Sequence, residues 1–233
     1  GMGLGRLRGL PIADIAVDGL NASYSNAAYI GIPLFLLTLG PQSTPYVIVG
    51  ATLTLMVLFA CAVVAIELGH HRHLGIAHAL WKATLGVIRN PVIAGPALGF
   101  LWWWGGVPLP APADQFTRML GTAASPTALV AIGLFLAERP VGEAISNRFA
   151  LGLTATKLIL HPAITALIAW PILGMSGHTA VIAIAIAALP TGTGPFMVAG
   201  FYARDGQVTS GTILLSTILS IISITAVLSL LPY

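Results

Sequence analysis

Lys157 is the only Asp, Glu, Lys or Arg between residues 149 and 173, and His161 follows it by four positions. Side chains four apart on a helix share one face, so the pair would give an anion a cationic wall or carry a proton. An ionisable group inside a membrane-length apolar stretch is a functional candidate by default. The plainer alternative is a lysine whose stem takes its charge to the nearby interface, since it stands only eight residues into the stretch.

A second set of polar groups lies where two apolar stretches are interrupted. Ser25-Asn26 marks one break and Pro190-Thr-Gly-Thr-Gly-Pro195 the other. Proline inside a helix removes an N–H donor and clashes with the preceding turn, at about 3 kcal/mol or more. Freed backbone groups at membrane depth survive only beside protein partners or along a cavity. Two such breaks point to a polar site near the bilayer midplane, with a pair of simple kinks as the alternative. Asn26 can donate its amide to a carboxylate; failing that, it makes a helix–helix hydrogen bond worth about 0.6 kcal/mol. Thr191 and Thr193 offer hydroxyls, or bond back within their own broken helix. The binding candidates are therefore Asn26, Pro190, Thr191, Gly192, Thr193, Lys157 and His161.

Other motifs carry less. His70, His71 and His73 flank Arg72 without a Cys or carboxylate to complete a metal site, so no metal is expected. Cys61 is the single cysteine, which excludes an internal disulfide and a Cys-based zinc site. Gly174-Met-Ser-Gly177 matches the Gly-x-Ser-Gly of rhomboid-type proteases, but no histidine follows His178 and the serine falls between spans. An enzyme is not expected. Asn21-Ala-Ser23 matches a glycosylation sequon on the expected cytoplasmic side.

The elements that must position these residues follow from composition. Hydrophobic residues make up 57% of the 233 and charged ones only 7%, where a soluble domain carries about 25% charged residues. The lipid bilayer is the solvent such a chain fits. Its ten Lys and Arg residues are scattered singly, which argues against nucleic acid as a partner. Only helices fit here, because lipid cannot satisfy open sheet edges and the period-2 alternation of a barrel is absent.

Seven spans are expected. They run over about 20–39, 45–66, a short stretch from Pro91 to Trp102-Trp103-Trp104, then 119–137, 149–173, 178–202 and 208–231. Residues 74–89 read as an interfacial amphipathic helix. Arg6, Arg8, Arg72, Lys82, Arg89, Arg139, Arg148 and Arg204 fall on one side and Arg118 alone on the other. By the positive-inside rule the N-terminus is then cytoplasmic and the C-terminus outside, in a multi-pass protein of the cell membrane.

An offset of 165 lays the first interrupted span on the sixth, and the long span after each on the other. The orientations of the paired units are opposite, as in transporters built from inverted repeats. Residues 1–68 then form the last two helices of a first repeat, 69–90 a cytoplasmic connection, and 91–233 a second five-helix repeat. If the halves match, about 75 residues and three helices of the first repeat are missing from the N-terminal side.

Asn26-Ala-Ala-Tyr-Ile-Gly-Ile-Pro-Leu34 resembles the Asn-x-x-x-x-Gly-Ile-Pro-Leu crossover of the auxin efflux carrier family. Ala188-Leu-Pro-Thr-Gly-Thr-Gly-Pro-Phe196, with Ala199 and Tyr202, is similar to that family's second crossover, and Asn90-Pro91 with Gly99 to the opening of its second half. The resemblance runs from Asn21 to the end. It implies a ten-helix, all-α membrane fold of two inverted five-helix repeats with two broken crossover helices. Seven of those helices are present here, and the chain looks N-terminally truncated against that pattern.

The resemblance also implies a permease of the bile/arsenite/auxin-transporter-like kind. Such a protein moves a small organic anion, a mono- or dicarboxylate such as malonate or malate in bacterial relatives, by alternating access. The long hydrophilic loop of plant carriers is lacking, which counts against auxin specificity. No cofactor is implied; coupling to protons or sodium and a homodimer stay open. The alternatives are a channel and a structural membrane subunit.

Overall fold

Prolines stand beside the second break and two of the wide turns, as Pro190, Pro33 and Pro162, while Pro96 and Pro126 lie inside unbroken helices. The computed structural model describes residues 10–70, 76–89, 91–137, 141–204 and 206–230. Helix α1 (Ile12–Ser23) opens after Pro11 with Asp14 in its first turn, a placement that suits the positive end of a helix. The charge-free stretch starts only at Gly19, so the helix begins earlier than that stretch suggests. Tyr24 N–H closes α1 on Leu20 O at 2.7 Å, and the chain then runs extended. A wide π-turn, Ala27–Gly31, leads into α2 (Ile32–Thr38). Pro33 follows that turn, and the widening relieves the clash a proline makes with the carbonyl four residues back.

Gly40, at φ 82°, makes the turn expected before Pro41. Helices α3 (Thr44–Leu53) and α4 (Phe59–His70) are joined by a wide turn at Thr54–Leu58. Helix α5 (Ile76–Arg89) takes the place of the expected amphipathic segment and packs on α4, where a Cβ on Gly86 would meet Glu67 at 2.7 Å. Helices α6 (Pro91–Trp104), α7 (Ala111–Ala137) and α8 (Val141–Ser146) follow. Asn147 Oδ1 caps α9 (Arg148–Ala155) by accepting from Phe149 N and Ala150 N at 3.0 and 3.2 Å.

A wide turn, Thr156–Leu160, passes α9 into α10 (His161–Leu167), again just ahead of a proline, Pro162. A further wide turn, Ile168–Ile172, ends that run. The second broken helix is α11 (Gly177–Ala188) and α12 (Gly194–Phe201), and α13 (Gln207–Leu230) closes the chain. Leu189 is extended, as the residue before a proline prefers. The protein is thus all-helical. Among the described residues three helical runs are long and apolar enough to cross a membrane: Pro41–His70, Arg148–Ile172 and Gln207–Leu230.

The core has two parts, and they show how the broken helices cross. Ala13, Ala16, Val17 and Leu20 of α1 pack on Phe59, Ala62, Val63 and Ile66 of α4, together with Val198 and Ala199 of α12. Phe35 and Leu39, from α2 and its end, pack on Ile182, Ala185 and Ala188 of α11, with Val47 and Ile224. The first half of each broken helix therefore lies beside the second half of the other. Small residues on these faces let the backbones approach closely. Arg6, Arg8, His71, Arg72, His73, Asn90 and Arg139 lie outside the described residues.

Candidate functional site

At the crossing the two breaks pair as a single antiparallel bridge, Ser25 with Thr191. Asn26 N donates to Pro190 O at 2.9 Å, and Gly192 N donates to Tyr24 O at 3.0 Å. Backbone groups that a broken helix would strand in lipid are thereby satisfied, as the membrane interior demands. Tyr24 covers the bridge so tightly that a Cβ on Gly192 or Gly194 would meet its ring at 2.9 or 2.6 Å. Only glycine fits beneath it.

Each first half also ends in carbonyls without a helical partner, and side chains from elsewhere reach them. Thr191 Oγ1 donates to Asn21 O at 2.8 Å, at the end of α1. At the end of α11 the donor is Lys157, whose Nζ reaches Ala187 O at 2.6 Å. The same ammonium donates to Ser25 Oγ at 3.1 Å and lies 3.2 Å from His161 Nδ1. Lys157 is fully buried.

Behind the crossing, α13 supplies a polar stripe. Ser216 Oγ accepts from Thr191 N at 3.1 Å, and Thr209 Oγ1 accepts from Asn21 Nδ2 at 2.9 Å. Asn21 is completely buried, and among the described residues its Oδ1 has no hydrogen-bond partner. A sequon asparagine held this way is not a glycosylation site.

Two cavities meet at Ser25. One, of about 330 Å³, is lined by Tyr24, Ser25, Asn26, Tyr29, Thr193 and Met197 among others. The other, about 750 Å³, is lined by Ser25, Tyr46, His161, Thr165 and Thr179 among mostly apolar groups. Of the sequence candidates, Asn26 and Thr193 thus share a cavity. His161 faces the other cavity. Pro190, Thr191 and Gly192 form the bridge itself, and Lys157 lies behind it, joined to both cavities through Ser25.

The amides of Asn26, Thr191 and Gly192 are occupied by the bridge and by Ser216. The polar groups facing the smaller cavity are therefore mainly side chains, together with the first turn of α12. Among the described residues no three His, Cys, Asp or Glu side chains gather in a way that could hold a metal.

The bundle end beyond α1 is tied differently. Arg204 Nε donates to Asp14 Oδ1 at 2.6 Å, with its second nitrogen on Oδ2. That hydrogen-bonded carboxylate pushes the Arg204 guanidinium pKa above its ordinary value. Tyr202 Oη donates to Glu67 Oε1 at 2.9 Å. Sequence reasoning missed Ser25, Asn21, Thr209 and Ser216. For the last two a signal existed, because Thr209, Ser216 and Ser220 recur at helical spacing along one buried face of α13.

The family model described as "Membrane transport protein" matches residues 4–228. A protein of Rhizobium meliloti (strain 1021) named "Putative malonate transporter" is 28% identical over 97% of this chain and 70% of its own length. Auxin efflux carrier components 4 and 3 of Arabidopsis thaliana are 34% and 33% identical over 50% of the chain. The chain spans only 19% of each of those two carriers.

Proposed function

This chain belongs to the membrane transport protein family, that of the auxin efflux carriers, and from that premise we propose that it is a secondary carrier for a small organic anion. The observation that carries this reading is the smaller cavity, where the Asn26 amide and the Thr193 hydroxyl face one space of about 330 Å³ beside the crossing. An amide N–H and a hydroxyl are the donors a carboxylate needs, and α12 turns the positive end of its dipole toward the same place. A mono- or dicarboxylate of malonate size fits. The relative named for malonate, matched over nearly the whole chain, makes that acid the first substrate to try.

Alternating access is the mechanism this arrangement supports. Ser25 lines both cavities, so a modest shift of the surrounding helices would change which of them reaches Asn26. The repeat assignment belongs to the same reading: α1–α2 with the Pro41–His70 run, and α11–α12 with α13, each pair a broken helix with a long one. Seven spans with a cytoplasmic N-terminus complete it. Single cysteines at Gly106 and Gly142 should then label from opposite faces of sealed vesicles; labelling from one face would refute this topology.

The direct test is counterflow. Purified protein in proteoliposomes preloaded with malonate should take up labelled malonate saturably, which a channel would not do. Asn26→Ala removes a donor to a charged group, worth about 1.5–3 kcal/mol. Affinity should weaken roughly ten- to a hundredfold. Unchanged affinity in that variant would move the site away from the crossing.

A further inference from the structure

The two broken helices end their first halves at nearly matching positions, Asn21 and Ala187 under the 165-residue offset, yet with different donors. At α1 the donor is a neutral hydroxyl, Thr191 Oγ1. At α11 it is the ammonium of Lys157, 2.6 Å from Ala187 O and 3.1 Å from Ser25 Oγ, in a fully buried position. A main-chain carbonyl at a half-helix C-terminus and a nearby hydroxyl are the hard oxygen ligands that an inorganic cation uses in carriers with broken helices.

Among the described residues none of the Lys157 hydrogen bonds goes to a carboxylate; besides the two oxygens it has only His161 Nδ1, at 3.2 Å. Helix α13, which packs against its turn, carries no Asp, Glu, Lys, Arg or His from Gln207 to Leu230. The charge is balanced instead by the negative end of α11. An uncompensated buried ammonium is costly unless it is hydrogen-bonded, and here it donates to two oxygens and lies within hydrogen-bonding distance of a ring nitrogen.

We propose that Lys157 is a tethered cation, standing where a mobile metal cation would otherwise bind to hold the crossing together, so that the protein needs no sodium at this place. Truncating the side chain should open a vacancy lined by Ala187 O, Ser25 Oγ and His161 Nδ1 that a small free cation can refill. The inference joins the carrier reading only in its transport arm.

The test is thermal unfolding of the whole chain in detergent, followed by tryptophan fluorescence at constant ionic strength. The media are chlorides of sodium, methylammonium and N-methylglucamine. The unaltered protein should melt at the same temperature in all three. Lys157→Ala should melt roughly 5–10 °C lower in N-methylglucamine. It should recover with rising methylammonium, since a ligand of the folded state alone raises Tm with concentration.

Lys157→Met fills the space without a charge, and should melt low in every medium with no recovery. A sodium-specific rise in the unaltered protein would overturn the proposal. So would a Lys157→Ala that methylammonium helps no more than N-methylglucamine does. If Lys157→Ala yields no folded protein, Lys157→Met decides, and a melting temperature equal to the parent's refutes the tether. In proteoliposomes malonate counterflow should be equal in sodium and N-methylglucamine. Counterflow absent from both media would count against the carrier reading, while the melting experiment would still decide the role of Lys157.

Discussion

The crossing and the α6–α7 pair are built on opposite terms. At the crossing, polar side chains are inside: Asn21, Lys157, Thr191 and Ser216 have no exposed surface at all, and each makes a hydrogen bond to another helix or to a break. Along α6 and α7 the large apolar side chains among the described residues are outside. Trp103 and Trp104 are each 74% exposed, and Leu98, Leu101, Phe116 and Leu134 point outward as well. In water this distribution would be unstable; in a bilayer it is the expected one, because lipid accepts apolar surface and refuses unpaired polar groups.

The difference shows where sequence is constrained. A residue at the crossing answers to several partners at once, and changing it leaves some of them unsatisfied. A residue on the outer face of α6 answers mainly to its own helix and its surroundings. Glycine provides the sharpest contrast, and the largest expected effect. A Cβ on Gly194 would come within 2.6 Å of the Tyr24 ring, whereas one on Gly99 of α6 would meet nothing within 4 Å. Tyr24 cannot swing aside freely, since it packs edge-on against buried Phe59 at 6.4 Å.

Gly194→Ala should therefore destabilise the protein by about 1–3 kcal/mol through overpacking. Gly99→Ala should be neutral or slightly stabilising, because alanine is the better helix former by about 0.8–1 kcal/mol. Melting temperatures in detergent would check both, and equal losses at the two sites would erase the distinction between the regions.

The same contrast marks what could be read from the sequence. The second break was legible, because Pro190, Pro195 and Gly192 act locally and their effect on a helix does not depend on the fold. The Gly40-Pro41 turn and the α5 amphipathic helix were legible for the same reason. The pairing was not: Lys157 meets Ser25 across 132 positions, Thr191 meets Asn21 across 170, and Asn21 meets Thr209 across 188. Nothing in the local pattern around Asn21 separates a buried hydrogen-bonding asparagine from a sequon. Ser25 looked like the neighbour of Asn26 and not like a ligand of a distant lysine. Sequence spacing correctly set His161 on the same face as Lys157, since four residues along one helix fix that geometry.

Threonine gives a finer and smaller version of the comparison. Thr191 and Thr193 are two positions apart in one motif, yet Thr191 turns inward to Asn21 O while Thr193 lines the smaller cavity. Thr117 of α7, by contrast, bonds back to Ala113 O of its own helix at 2.9 Å and is exposed. Valine keeps the shape of threonine and deletes the hydroxyl, so it isolates that one group. Thr191→Val leaves a buried carbonyl without its donor and should cost about 1 kcal/mol of stability, with malonate affinity changing little in whatever protein remains folded. Thr193→Val should leave the melting temperature within about 1 °C and weaken affinity about three- to tenfold, in keeping with one lost hydrogen bond of about 1 kcal/mol. Thr117→Val should change neither quantity, because the helical carbonyl it releases keeps its main-chain partner. Were Thr193→Val to lower stability and spare affinity, the cavity beside Asn26 would be a packing defect of the crossing and not a place where an anion binds.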